Sequence, residues 1–519
     1  MKEGFRQSMA WLHSWMGLLP GWVLFVIFLF GSTAFFQQEI SRWMRPEMSG
    51  QPLSVAALDT ADALLRNKGA NAANWTITLP EERLGDPVSI EWTPAANSTA
   101  LPGKGVIDPG TGKPAEIRDT LGGWFLYRFH FDLHYMPWWL ARYIVCISAL
   151  AMLIAILSGV ITHKKIFTDF FLLRFGKGQR SWLDGHNVTG VLALPFHLMM
   201  TYTGLVTLLF TLMPWAITAN FSGEDAFYQA STRAPIVEAS GKPAPVLPLR
   251  LLSARAETLW HGQKPVYIGI SNPGDAQGIA EIWPVTNGMT EPRRPLYLNA
   301  ATGALVAMGP ESGPAEQTER VMIQLHRGSF AAPMLRWLYF LSGVTGTIMV
   351  ASGLVLWTVK RRAKLPDPDH PYFGFRLVER LNIGFITGPL TGIAIYFLAN
   401  RLLPLGLEHR ADWEVNSLFI GWGAVFPWTI ARPVKQAWVG ALTACAALYL
   451  LVPIINAATT GNGLLPSLLA GNRVFIAFDS IMLAVSAALF LTARKVAAHR
   501  PKAAPRRRTA PKVAAEISA

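Results

Sequence analysis

The chain has 519 residues, 51% of them hydrophobic and only 15% charged, with a mean hydropathy of +0.29. Soluble domains carry about a quarter charged residues, so this composition points to a membrane. The net charge of +13 sits largely in short clusters beside apolar runs, such as "KK" at 164, "KRRAK" at 360 and "PRRRTAPK" at 505. That is the positive-inside pattern of membrane proteins and argues against a nucleic-acid partner.

Residues 18–36 follow Lys2 and Arg6, but the run is too long for a signal-peptide core and no small-residue cleavage site follows. It reads as a membrane anchor. A helix needs about 20 apolar residues to cross the hydrocarbon core. Segments 16–36, 138–162, 188–213, 334–358, 382–403, 416–431, 437–457 and 473–493 meet or approach that length. The sixth is short and contains Pro427. Eight crossings put both termini on one side, with the basic loops at 163–180, 359–380 and 432–435 and the tail at 494–519. The positive-inside rule makes that side the cytoplasm.

Two polar segments, roughly 40–133 and 216–330, fall on the opposite side. The first pairs a helical pattern, "PLSVAALDTADALLRNKG", with strands "WTITLP" and "VSIEWTP". The second pairs "LPLRLLSARAETLW" with strands "PVYIGIS", "GIAEIWPV" and "RRPLYLNAATGALVAM", the last turning at "NAATG". Both read as small α+β modules. The expected organisation is a first helix in 1–39, one module at 40–133, helices 2 and 3 in 134–215 and a second module at 216–330. Helix 4 follows in 331–362, then a further bundle at 380–493 and the basic tail.

An internal repeat runs through the first part. "HSWMGLLP" (13–20) and "HNVTGVLALP" (186–195) both read His-x-x-x-Gly and then apolar residues to a proline. Arg142 and Ser158-Gly159 share their spacing with Arg336 and Ser352-Gly353. "FHFDLHY" (129–135) and "IQLHRGSF" (323–330) each place histidine just ahead of an apolar run. Helix, module, helix therefore occurs twice in parallel orientation.

The histidines fall at two levels. His13 and His186 make an inner pair, and His130 and His326 an outer pair. Two levels of imidazole on a four-helix unit suit two stacked b-type haems, each ligated from two helices. Cys146 and Cys445 lie in apolar runs with no CxxC or CxxCH, so a redox centre here is not held by sulfur. His186 and His197 are eleven residues apart, which on one straight helix is about 16.5 Å of rise and about 20° from the same face. His197 thus competes with the outer pair, and His134 is a neighbour of the ligands or an alternate ligand. His163 reads as interfacial, while His261, His370, His409 and His499 read as solvated. Gly17, Gly190, Gly159 and Gly353 could admit a porphyrin plane or simply serve helix packing. Arg128 and Arg327 flank the outer histidines and could bind haem carboxylates. Asp479, inside a late crossing, is a candidate for a proton or quinol site, or faces a water-filled cleft.

The repeated "H…G…P" crossings, "SGVITHKKIF" and "RSWLDGHNVTGVLALPFHLMMTYTGL" make residues 8–362 resemble the PepSY-associated transmembrane family of iron-regulated membrane proteins. The resemblance implies a polytopic α-helical protein of the bacterial inner membrane, with about eight transmembrane helices and two periplasmic α+β PepSY-like modules. Some members act as di-haem ferric-siderophore reductases, which implies two haem b groups and a ferric siderophore as partner. The electron donor would be quinol or a cytoplasmic reductase. The bundle after 380 departs from the four-crossing members. The rival expectation is a non-redox protein whose modules bind or regulate a periplasmic partner or assist siderophore transport.

Overall fold

Prolines set where the apolar segments bend. In a computed structural model of the protein, residues 4–499 are described except 82, 84, 96–100, 115, 164–172, 175, 177, 290 and 292. The basic tail beyond 499 and most of the 163–180 loop lie outside the described residues. Helix α1 (Phe5–Leu18) gives way to α2 (Gly21–Ala34) through Pro20, with a bend of 62°. Proline has no N–H to continue the ladder, so the chain changes direction there. Short α3 (Gln37–Met44) leads into the first polar segment, where α4 (Val55–Lys68) begins at Ser54, whose side chain accepts from the Ala57 N–H.

Strands β1 (Ala72–Thr78), β2 (Val88–Pro94) and β3 (Gly103–Ile107) follow, then α5 (Gly122–Asp132) and the long α6 (Trp138–Thr162). The second copy repeats the plan. Helices α7 (Gln179–Leu192) and α8 (Leu194–Thr207) bend by 67°, with Pro195 in the first turn of α8. Two single-turn helices, α9 (Leu209–Leu212) and α10 (Trp215–Thr218), lead to α11 (Glu224–Thr232) and α12 (Leu249–Leu259). Strands β4 (Pro265–Ser271), β5 (Ile279–Pro284), β6 (Leu296–Asn299) and β7 (Leu305–Met308) precede α13 (Pro314–Arg327) and α14 (Pro333–Arg362).

The two polar segments build one sheet rather than two. Its seven antiparallel strands run β3-β2-β1-β4-β5-β6-β7, and the halves join where Trp75 faces Ile270 and Ile77 faces Ile268. Alternation decides which face is apolar. Trp75, Ile77, Ile90, Ile268, Ile270, Ile282 and Leu298 point to one side, against Ala61 and Leu65 of α4 and Leu252 and Ala256 of α12. Each fully buried aliphatic side chain there contributes about 1.5–3 kcal/mol. The turns repeat as well. Asp108 and Asn299 each accept from the N–H three residues on, Thr111 and Thr302, and Gly112 and Gly303 take φ of +67° and +70°.

Beyond α14, α15 (Phe373–Leu402) packs along α16 (Arg410–Ala431) and α17 (Val434–Thr459); α18 (Leu464–Leu469) leads to α19 (Arg473–Ala498). A Cβ at Gly384, Gly388 or Gly392 would sit 2.3, 2.2 and 2.8 Å from Phe426, Trp422 and Leu418. Glycine at every fourth position lets α15 and α16 approach closely. Among the described residues, five helices are long and apolar enough to cross a membrane: α6, α14, α15, α17 and α19. The count is seven when each bent pair is one span. Helix α16 has length enough, but Arg410, Asp412 and Glu414 in its first turns lower its apolar character. The protein is a multi-pass membrane protein with a small antiparallel sheet.

Candidate functional site

The repeat places α1 against α6 and α7 against α14, and likewise α2 against α5 and α8 against α13. Each packing carries a histidine. His13 on α1 and His186 on α7 face each other with ring centroids 6.1 Å apart. His130 on α5 and His326 on α13 do the same at 6.4 Å, with ring planes within 22°. The second pair lies toward the sheet, the first toward the opposite end.

One local rule holds three of these rings. His13 Nδ1 bonds the Ala155 carbonyl at 2.8 Å, His186 Nδ1 that of Met349 at 2.9 Å, and His326 Nδ1 that of Met200 at 3.1 Å. In each case the residue one turn further along is glycine: Gly159, Gly353 and Gly204. A Cβ at these glycines would lie 3.1, 3.1 and 2.9 Å from Cε1 of the respective ring. The helical carbonyl has a second lone pair free, and the missing side chain gives the imidazole access to it. His130 differs, because its Nδ1 bonds the Tyr127 carbonyl of its own helix. Its ring lies 3.6 Å from a Cβ built at Gly31. In all four, Nδ1 is committed as donor, which leaves Nε2 with its lone pair. Among the described residues no hydrogen bond reaches any of these Nε2 atoms.

The donor set has a definite fit. A metal–imidazole bond of about 2.0–2.1 Å, with about 1.2 Å from ring nitrogen to ring centre, sets two axial rings about 6.4 Å apart. Two imidazoles alone do not fill a coordination shell, and no group of three or more His, Cys, Asp or Glu able to hold a bare ion occurs among the described residues. The pairs therefore suit a flat ligand that brings its own equatorial donors.

Around the sheet-side pair lies a cavity of about 820 Å³, within the size range of cofactor pockets. Its walls include Gly31, Met152 and Met200, and its mouth reaches Glu81 and Arg83 of the β1–β2 loop and Asn287 and Gly288 of the β5–β6 loop. Four arginines line it: Arg83, Arg142, Arg327 and Arg336. Arg83 and Arg336 share Glu39, at 3.1 and 3.0 Å. Arg142 and Arg128 share Asp132, both at 2.7 Å. Each triad keeps one positive charge in excess. Arg128 itself is outside the cavity wall, with its side chain more than half exposed. His130 and His326, on helices outside the spans, are each driven down to about 4 by burial, so both rings are neutral at pH 7.

The remaining sequence candidates lie elsewhere. His197 is buried, its Nε2 3.2 Å from the Ser342 carbonyl and its ring beside Phe28. The 192–194 break means that His186 and His197 do not share one straight helix, so the eleven-residue argument fails. His134 is exposed and stacks on Phe419 at 5.6 Å. His163 meets Asn187 at 2.9 Å. A Cβ at Gly17 would touch nothing within 4 Å, and one at Gly190 only Met349. Asp479 faces no open cleft: it is fully buried and accepts from Trp43 Nε1 and Asn456 Nδ2, both at 3.0 Å. Gly31, Gly204, Arg83 and the pairing of Arg142 and Arg336 with acids escaped the sequence reading. The two glycines carried a usable signal, since they stand at the same offset from His13 and His186.

The sequence pattern described as the PepSY-associated TM region matches residues 10–360, from α1 to the end of α14. The chain belongs to the PepSY-associated TM family. An uncharacterized protein of Pseudomonas aeruginosa is 27% identical to it over 307 residues, covering 54% of this chain and 74% of that protein. All four facing histidines and the bends of both helix pairs lie within the stretch that defines this PepSY-associated protein, while the α15–α19 bundle lies beyond it.

Proposed function

We propose that this protein is a di-haem electron-transfer protein of the bacterial inner membrane that reduces ferric iron, held in a siderophore, on the periplasmic side. The observation that carries the reading is the presence of two facing histidine pairs, with ring centroids 6.1 and 6.4 Å apart, one near each end of the repeat. In this reading His13 and His186 hold one b-type haem, and His130 and His326 the other; bound haem supplies reversible one-electron transfer. The backbone carbonyls of Ala155, Met349 and Met200 fix the tautomer that leaves Nε2 free to ligate. The Arg83–Glu39–Arg336 and Arg128–Asp132–Arg142 triads, each with one charge to spare, would offer positive charge to the carboxylates of a haem held by His130 and His326. The sheet is periplasmic, both termini are cytoplasmic, and α16 makes the eighth crossing. Electrons enter from quinol or a cytoplasmic reductase. Reduction favours release because hard oxygen donors hold the doubly charged ion less strongly than the triply charged one.

Visible spectra of the purified, haem-loaded protein with and without dithionite test this. A reducible b-type Soret shift is expected. His13→Ala and His326→Ala should each lose a different half of the haem, and retention of full haem in both variants would refute the pairing.

A further inference from the structure

The arginines of the sheet-side cavity are not equivalent. Three of the four lining it are engaged by Glu39 or Asp132. Arg327, next to His326 at the end of α13, forms no ion pair among the described residues and is exposed on the cavity side. A second unmatched guanidinium stands on the β5–β6 loop. Arg293 is exposed, lies over the ring of Trp283 at 4.9 Å, and likewise forms no ion pair among the described residues.

The loop that carries Arg293 is fastened to α13. Gln324 donates to the Thr286 carbonyl at 3.2 Å and Arg320 to that of Glu291 at 3.0 Å. Between those anchors, Asn287 and Gly288 form part of the cavity mouth. Arg293 is near enough to Arg327 and Arg320 for their charges to oppose its own. Arg320 is neutralised by Glu316 at 2.6 Å, which leaves Arg293 and Arg327 as the uncompensated charges. Glu281 accepts from Trp283 Nε1 at 2.8 Å and Glu291 from the Asn287 and Gly288 N–H groups at 3.1 and 2.8 Å, so neither acid pairs with these two arginines. Two like charges held together beside an indole favour an anion with apolar or aromatic surface.

We propose that Arg293 and Arg327, with Trp283, form a docking site at the cavity mouth for a ferric chelate of net negative charge. The site rests on the electron-transfer reading above only for the identity of the metal. A tris(catecholate) complex of a trivalent ion carries three negative charges, whereas a tris(hydroxamate) complex is neutral, and the site should discriminate between them. It also lies beside the sheet-side histidine pair, so a docked chelate would be close to that pair. The β1–β4 pairing joins the two halves in one sheet, and loops of both halves line this cavity.

Gallium(III) chelates test the site without any redox step. Titration calorimetry on the full-length protein in detergent should show gallium tris(catecholate) bound at least about tenfold more tightly than neutral gallium tris(acetohydroxamate). That affinity should fall as salt rises. Arg293→Gln should weaken catecholate binding about tenfold, and Arg293→Lys should restore most of it. Equal affinity for the two chelates, or an unchanged affinity in Arg293→Gln, would overturn the site. Haem content is read from the same samples. Haem-free protein that still binds the anion supports the site while the electron-transfer reading falls; haem-replete protein that does not bind overturns the site alone.

Discussion

At the scale of single residues, the recurrent unit is an imidazole, a helical carbonyl and a glycine one turn beyond it. The unit appears at His13, His186 and His326, and it depends on the missing side chain. Gly204→Val should drive His326 off the Met200 carbonyl and remove the sheet-side haem signal while the other remains. Gly353→Val should do the converse, and both are read by visible spectra of the variants. The sheet-side histidines also make haem-free protein sensitive to acid. Their folded pKa of about 4 lies below the unfolded value of about 6.5. The unfolded chain therefore binds protons first, and stability is lost as pH falls from about 6.5 to about 4. The charged groups acting on this pair are Asp132, which favours protonation of His130, and His130, which opposes protonation of His326. Replacing both histidines by Gln should flatten this part of a melting-temperature against pH profile.

At the scale of elements, proline placement and residue pattern carried much of the architecture. The helices at 55–68 and 249–259 and the strands at 72–78, 88–94 and 265–271 follow directly from period and turn residues. Helices α3 and α13 were not separated from their surroundings, because their burial comes from neighbours distant in sequence. The histidine pairing was visible through symmetry, but the neutralising acids were not, since Glu39 and Asp132 look like ordinary surface charges in a string of letters. The buried polar links of the late bundle were equally hidden. Arg410 pairs with Glu414, both fully buried, and Glu414 also accepts from Asn400 Nδ2 at 2.8 Å and Thr120 Oγ1 at 2.5 Å. Arg401 bonds Asn456 at 2.9 Å and the Trp43 carbonyl at 2.5 Å. Removing one partner strands a buried charge, so Arg410→Met should cost about 3–5 kcal/mol. The double change Arg410→Met with Glu414→Met should recover much of it, as measured by thermal unfolding in detergent.

At the scale of the whole molecule, the late bundle is joined to the repeat through α3 and the segment before α5. Trp43 stacks on Phe478 with ring centroids 4.1 Å apart, and Arg118 donates to the Asn400 carbonyl at 2.6 Å. A chain ended after residue 362 should therefore expose α3 and α5, and limited proteolysis should cut near Arg42 or Arg45 faster than in the full protein. Sequence reading assigned two modules, and the structure merges them, because strand pairing between segments far apart leaves no periodic trace in either.

That shared sheet has a consequence for how the protein tolerates cutting. The backbone bonds between β1 and β4, with the contacts of α2 against α14 and α6 against α8, tie the two repeats together independently of the peptide that links them. A gene split in that link, between α6 and α7, would then yield two fragments that recombine in the bilayer when produced together, a nicked molecule that keeps its shape without an unbroken chain.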